Sequence, residues 1–426
     1  MTDKLHAARP PERRLIYFIG TFPSLTTTFI DREVRTLRRW GVDVQVVAMR
    51  RPRADLPLSV EQEACREGVI YLFPMIWLQL IAAHLYFALR HPGRLFGALA
   101  YLMTRPHPGW RAWLKSLCHF GEGVYAAYLI RKQSFRELHA HFADRAATIA
   151  LVAGRLLDKP YSLSIHAGAD IYVSPVLLRE KVLSARHVVT CTRFNKTHIE
   201  RLIGQSLDGQ MSYVKHGLEL AKYHPANGST NGHANGSPII LSVGQLAERK
   251  GLDQLIRSCG DLRDQGYEFA CHIVGQGPRR PHLEALINEL HLEDTVTLHG
   301  ALPHEAVIEH YRHATMFVLP CLQTKDGDVD GIPNVLAEAM AMQLPVVSTN
   351  LSAIPELVQD GQNGLLVPPE DTPALAGAVA RLLERPDLRE ELGRNGRRTV
   401  LETFDVEQNV RRFAATLWPD WFGSSS

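Results

Sequence analysis

The chain has 426 residues, 45% of them hydrophobic and 22% charged, and its 47 Lys plus Arg against 45 Asp plus Glu leave a formal net charge of +2. Apolar content this high excludes a mostly disordered chain, and at about 150 residues per domain the length corresponds to two or three domains. The near-neutral total is a cancellation, because residues 1–226 carry 31 basic and 18 acidic side chains, a balance of +13, and the remainder 16 and 27, a balance of −11. Halves of opposite sign point to separate partners, with an anionic surface suited to the first. Six scattered cysteines without a Cys-x-x-Cys pair suit a reducing cytosol, and the opening MTDKLHAARPPERR has no apolar stretch of the secretory type.

In chain order, RLIYFIG predicts a first strand, FIDREVRTLRRWG an amphipathic helix and DVQVVAM a second strand. The loop between the first two, GTFPSLTTTF at 20–29, contains Gly20, where a phosphate or sugar could approach the backbone. Residues 68–121 then break the pattern. They contain no Asp or Glu, five basic residues (Arg90, Arg94, Arg105, Arg111, Lys115) and the pair Trp110 and Trp113. Their first part runs 19 residues without a charge, from Tyr71 to Leu89, but Pro74, Gln79 and His84 interrupt it. Helices lying in a membrane headgroup layer fit this composition best, ahead of a buried helical insertion and of a membrane span.

The alternation then resumes with ELHAHFAD (His139, His141), YSLSIHAGAD (His166, Asp170), HVVTCT and SYVKHG. Each lone His is more readily a packed residue than a catalyst, and no metal-ligand spacing is evident. An Asn, Gly and Ser-rich run at 227–237 reads as a linker. Beyond it, IILSVGQLAERKGLDQLI places Arg249 and Lys250 at the carboxyl end of a strand, where open α/β sheets bind ligands and where two cations can neutralise a diphosphate. HIVGQGPRR has Gly275 and Gly277, but Arg280 stands where a dinucleotide fingerprint needs its third glycine, which argues against a dehydrogenase. In DGDVDGIPNVLAEAMAMQLPVV, Gly331 and Pro333 turn the chain into a helix whose first N–H groups, near Asn334, Val335 and Leu336, are free to face a phosphate. Asp330 before that helix and Glu338 on it can reach different parts of one extended ligand, an arrangement unlike a hydrolytic carboxylate pair.

In order and spacing, these segments, with LHGALPHEAV and IPELVQDGQNGLLVPPED, resemble the retaining GT-B glycosyltransferases of family 4 over essentially the whole chain, and most of all the bacterial exopolysaccharide branch. The resemblance implies an α/β fold of two Rossmann-like lobes facing a central cleft: 1–226 on the acceptor side, 238–400 binding the nucleotide sugar, and 401–426 crossing back to the first lobe. It implies that Arg249 and Lys250 hold the donor diphosphate with Gly20, Ile332, Pro333 and the N–H groups of Asn334, Val335 and Leu336. Glu338 would bind the ribose, and His299, Gly300 and Leu302 would line the base. Asp330 and His166 would act at the reacting sugar, with Thr27, Thr28, His141 and Asp170 on the acceptor side. The family usually has Glu where this chain has Asp330.

The implied activity is transfer of a sugar from a nucleoside-diphosphate sugar to a saccharide, in all expectation lipid-linked, without a metal, other cofactor or nucleic-acid partner. Its implied place is the cytoplasm, peripheral on the inner face of the plasma membrane. The competing readings are a nucleotide-sugar epimerase or a phosphorylase on the same architecture, and a non-catalytic, membrane-associated sugar-nucleotide-binding subunit.

Overall fold

The computed structural model describes residues 13–25, 27–54, 57–225 and 236–422. Most of the 227–237 linker lies outside these. The first sheet contains β1 (Arg14–Thr21), β2 (Asp43–Arg50), β3 (Ile70–Tyr71), β4 (Glu137–His141), β5 (Tyr161–Ile165), β6 (Val188–Thr190) and β7 (Met211–Tyr213), in the order β3-β2-β1-β4-β5-β6-β7. The second contains β8 (Ile239–Val243), β9 (Ala270–Val274), β10 (Val296–Gly300), β11 (Met316–Leu319), β12 (Val346–Thr349) and β13 (Leu365–Val367), in the order β10-β9-β8-β11-β12-β13. All pairings are parallel. Helices cover both faces, which is why β1 reads as the unbroken apolar run Leu15 to Ile19, all buried, rather than as an alternation.

Strand order reverses direction between β1 and β4 in one sheet and between β8 and β11 in the other. Such switch points splay the loops leaving adjacent strands and open a crevice at their carboxyl ends. The crevices hold Gly20 and His141 in the first lobe, and Arg249, Lys250 and Pro320 in the second. The lobes are joined near the chain's end, where Leu218 N–H donates to the Phe404 carbonyl (2.6 Å) and Val406 N–H to that of Leu218 (3.1 Å). The following helix, Val406–Leu417, buries Val410, Phe413 and Leu417 against Leu15, Tyr17 and Val34 of the first lobe. Trp418 completes that core, and its indole N–H donates to Glu137.

The acid-free stretch begins as the edge strand β3, which its composition did not announce. Helices Trp77–Arg90 and Pro92–Met103 follow, then Trp110–Ile130. The apolar run from Tyr71 to Leu89 does not form one helix: the helix within it has 14 residues, ~21 Å at 1.5 Å per residue, short of the ~30 Å a bilayer core demands. No helix among the described residues is long and apolar enough to cross a membrane. In helix Trp77–Arg90 only Ala83 and Phe87 are buried, while Trp77 (71% exposed), Leu78 (80%) and Leu89 (81%) face solvent. Ile81, Leu85, Phe96 and Trp110 extend the exposed apolar surface.

Two glycines set the second crevice. Gly275, at φ +147°, lies where a Cβ would come within 1.8 Å of the Gly244 carbonyl oxygen, so the Gly275-x-Gly277 pair packs one strand-end loop on another. Gly251 ends the turn bearing Arg249 and Lys250 at φ +63°, with its notional Cβ 1.9 Å from the Pro320 carbonyl oxygen. Gly251→Ala therefore combines left-handed strain of about 1–2 kcal/mol with a backbone clash. It is expected to lower the thermal midpoint by several degrees and weaken nucleotide binding together; an unchanged melting curve would contradict this packing.

Candidate functional site

The cleft side of the second lobe is a compact cluster of charge. Arg249 Nε lies 3.2 Å from Asp330 Oδ1, and its Nη1 lies 3.2 Å from Asp328 Oδ2. Its Nη2 donates to Gln245 (3.0 Å), and Lys250 Nζ pairs with Asp330 Oδ2 at 2.8 Å. Burial pushes the Asp330 carboxyl up, but the charges of Lys250 and Arg249 outweigh it and hold the group below its ordinary value. Two cations thus face two carboxylates, and an incoming diphosphate would exchange for carboxylate oxygens.

Beside this cluster, helix Asn334–Ala341 starts at Pro333 with no side-chain cap. Leu336 N–H donates to the Pro333 carbonyl at 3.0 Å, so this donor, which the sequence reading left free for a phosphate, is engaged in a turn. No such backbone acceptor takes the N–H of Asn334 or Val335. Ile332 and Val335 are half-buried against the second core. The short helix brings its dipole and these donors to the cleft edge.

Glu338, one turn further, is 5% exposed and faces Arg32, 4% exposed, from the first lobe: Arg32 Nη2 to Glu338 Oε1 is 3.0 Å. The rest of this buried pair is satisfied locally. Arg32 also reaches the Tyr223 hydroxyl (3.3 Å) and the Gly217 carbonyl (3.4 Å), and the Tyr311 hydroxyl donates to Glu338 Oε2 (3.4 Å). Burial raises the Glu338 pKa, and His304 and Arg32 more than reverse this, leaving a carboxylate.

Across the cleft, His216, His166 and His141 form a hydrogen-bonded row. His216 Nδ1 is 3.2 Å from Asn334 Oδ1, His216 Nε2 is 3.0 Å from His166 Nδ1, and His166 Nε2 is 3.1 Å from His141 Nδ1. His141 Nε2 then lies 3.5 Å from Glu33 Oε1, beyond a good hydrogen bond, and Glu33 accepts from the Tyr17 hydroxyl at 2.8 Å. Burial, then the neighbouring rings, push His166 well below its ordinary value; burial chiefly takes His216 to about 4. Neutral rings pass a hydrogen bond in one direction only. With Asn334 Oδ1 accepting from His216 Nδ1–H, His166 and His141 each donate Nδ1–H to the Nε2 of the ring before, and His141 Nε2 is left buried without a hydrogen-bond partner among the described residues. Phe29 stacks on His216 at 3.9 Å and fixes its plane.

The remaining sequence candidates are dispersed. Thr27 Oγ1 is buried without a partner at the start of helix Thr28–Arg39, and Asp170 Oδ2 accepts the Ala143 N–H at 2.6 Å. Gly20 is the last residue but one of β1, where a Cβ would meet Asp144 at an ordinary 3.7 Å. Gly300 is held by the Gly275 N–H (2.8 Å), and Leu302 packs on the second core. The His299 ring packs with His272 and His310. Sequence reasoning missed Arg32, His216, Tyr223, Tyr311 and Asp328. Of these, Arg32, His216 and Asp328 stood inside segments already marked, FIDRE, SYVKHG and DGDVDGIPN, and Tyr223 and Tyr311 did not.

Two parallel sheets with their switch-point crevices facing each other form a GT-B architecture, and residues 226–399 match the family described as glycosyl transferases group 1. The second lobe thus belongs to that family, and the chain is a relative of bacterial exopolysaccharide glycosyltransferases. It is similar to WcaL of Salmonella typhimurium, provisionally named a colanic acid biosynthesis glycosyltransferase, with 39% identity over 186 residues, 43% of this chain and 46% of WcaL. To the amylovoran biosynthesis glycosyltransferase AmsK of Erwinia amylovora it is 44% identical over 143 residues, 34% of this chain and 35% of AmsK. The chain spans less than half the length of either relative in these matches. Anabaena HepE, solved with UDP-glucose, shares the fold with a TM-score of 0.70 at 16% identity, over 95% of this chain and 99% of HepE.

Removing one partner of a buried ion pair leaves the other charge desolvated. Arg32→Leu is expected to cost about 3 kcal/mol, and Arg32→Leu with Glu338→Leu to recover most of it. Urea unfolding of the ligand-free protein measures both, and equal loss in the single and double variants would show that the pair does not couple the lobes.

Proposed function

We propose that this protein is a retaining glycosyltransferase that moves a sugar from a nucleoside-diphosphate sugar to a hydroxyl of a lipid-linked saccharide. The observation that carries the reading is the convergence of Arg249, Lys250 and Asp330 on the uncapped start of helix Asn334–Ala341, within a lobe of the glycosyl transferases group 1 family. In this reading the donor diphosphate takes the place of Asp328 and Asp330 on the two cations. Arg249 binds it in a plane, Lys250 as a point charge, and the N–H groups of Asn334 and Val335 complete the cradle. Asp330, once released, holds hydroxyls of the donor sugar, and Glu338 holds the ribose after Arg32 lets go.

As the bond between the anomeric carbon and the phosphate oxygen breaks, negative charge grows on the diphosphate. Preorganised cations and dipoles stabilise that charge in a cleft that excludes water. The acceptor oxygen bonds to the same face of the carbon, and its proton passes to the departing phosphate oxygen. In this reading His166, neutral and held by His141 and His216, faces the sugar without exchanging a proton of its own.

The polysaccharide roles in the names of WcaL and AmsK favour a saccharide acceptor. The outward apolar residues around Trp77, together with the basic first lobe, support docking on an anionic membrane that carries it, with interfacial helices rather than a span.

Arg249→Ala and Lys250→Ala are each expected to lower kcat about 10²-fold or more. A panel of UDP-, GDP- and ADP-sugars with membrane extract measures this. Absence of both turnover and nucleotide binding would overturn the proposal, and donor binding without transfer would move it to the non-catalytic subunit. For the membrane contact, sedimentation with anionic liposomes at low salt is expected to bring down the native chain but not the Trp77→Ser, Leu78→Ser, Leu89→Ser variant; equal sedimentation of both would locate the contact elsewhere.

A further inference from the structure

Three histidines on the second lobe, outside the ion-pair cluster, converge from three elements. His272 comes from β9, His299 from β10 and His310 from helix His304–His313. Their ligand nitrogens all lie within 4.8 Å of one another. The ring centroids are 4.8 Å apart for His272 and His299, 4.7 Å for His299 and His310, and 5.9 Å for His272 and His310, with interplanar angles of 68°, 61° and 81°. Three imidazoles on one tetrahedral ion, with metal–nitrogen bonds of ~2.0–2.1 Å, have centroids roughly 5 Å apart. The rings therefore already stand close to ligand spacing, edge to face.

Two features separate this group from ordinary aromatic packing. None of the three rings has a hydrogen-bond partner among the described residues. All are at least partly open to solvent, so an ion can enter. The other two such groups among the described residues differ: His166 and His216 are bonded in the row described above, and His139 is buried between Ser162 and Ser164.

We infer that His272, His299 and His310 form a binding site for a divalent transition-metal ion of the zinc class, with a fourth coordination position left to water. An all-imidazole donor set selects Zn²⁺, Cu²⁺, Ni²⁺ or Co²⁺ over Mg²⁺ or Ca²⁺. The ion ties the edge strand β10 to the strand beside it and to the helix that follows. None of the ion-pair cluster takes part; His299 is shared with the residues expected to line the base, and His272 and His310 are not.

The test uses the full chain without a histidine tag, stripped by chelator. Titration with Co²⁺ is expected to give the visible absorption of a tetrahedral site at one ion per chain. Calorimetry with Zn²⁺ is expected to give the same stoichiometry, and saturation to raise the thermal midpoint. His272→Ala and His310→Ala are each expected to weaken binding at least about tenfold, with His310→Gln as a milder control. Circular dichroism in chelator checks that the variants fold like the native chain. Absence of stoichiometric uptake would overturn the inference, as would native affinity in the folded His272→Ala, His310→Ala double variant, which would place the ion in one of the other histidine groups.

Discussion

The buried pair of Arg32 and Glu338 is the contact on which the arrangement of the cleft depends. Each side chain comes from a different lobe, and each is almost wholly removed from water, so neither charge is tolerable alone. Tyr223, Tyr311 and the Gly217 carbonyl supply the remaining hydrogen bonds. These come from the segment linking the lobes and from the second lobe's own core. The pair thus sets how closely the crevices approach, and brings Asn334 within hydrogen-bonding distance of His216 across the gap. Glu356 adds a second tie by accepting the N–H groups of Arg193 and Phe194.

The same logic of local compensation explains how an acidic lobe can present an anion site. The sign of a lobe's net charge acts at long range and is screened within about 10 Å at ordinary ionic strength. In the proposed reading a ligand in the cleft would meet Arg249, Lys250 and a helix start at contact distance. Asp328 and Asp330 pair with those cations at the cleft rather than in the core, and in the proposed reading they yield them to the diphosphate. In the first lobe, charge and apolar surface coincide instead: helix Trp77–Arg90 turns its large apolar residues outward within a stretch that has no acidic side chain.

Much of the fold was legible because parallel strands covered on both faces must be apolar throughout, which makes them stand out between amphipathic helices. The short strand β3 was hidden, since Ile70 and Tyr71 merge into the apolar run that follows. Arg249, Lys250 and Asp330 were legible as a group because each sits beside a local signal: a strand end, a glycine, a helix start. Arg32 and Tyr311 carry no such signal. They are ordinary helix residues whose importance comes from facing Glu338, and a single chain does not announce which distant residue will face it. The three-histidine group was invisible for the same reason, its members lying far apart along the chain and on different elements.

The sequence by itself determined the two-lobe α/β plan, the cation pair at a strand end and the helix start at Pro333, because all of these follow from local periodicity, backbone constraint and the place of a loop in a parallel sheet. Tertiary structure alone decided the partners: that Glu338 holds Arg32, that three histidines align in a row from Asn334 towards Glu33, that three others converge on one lobe, and that an apolar helix faces outward. Those outcomes turn on distances between residues remote in the chain and on which face of each element is covered. Packing settles both, and no local pattern encodes them.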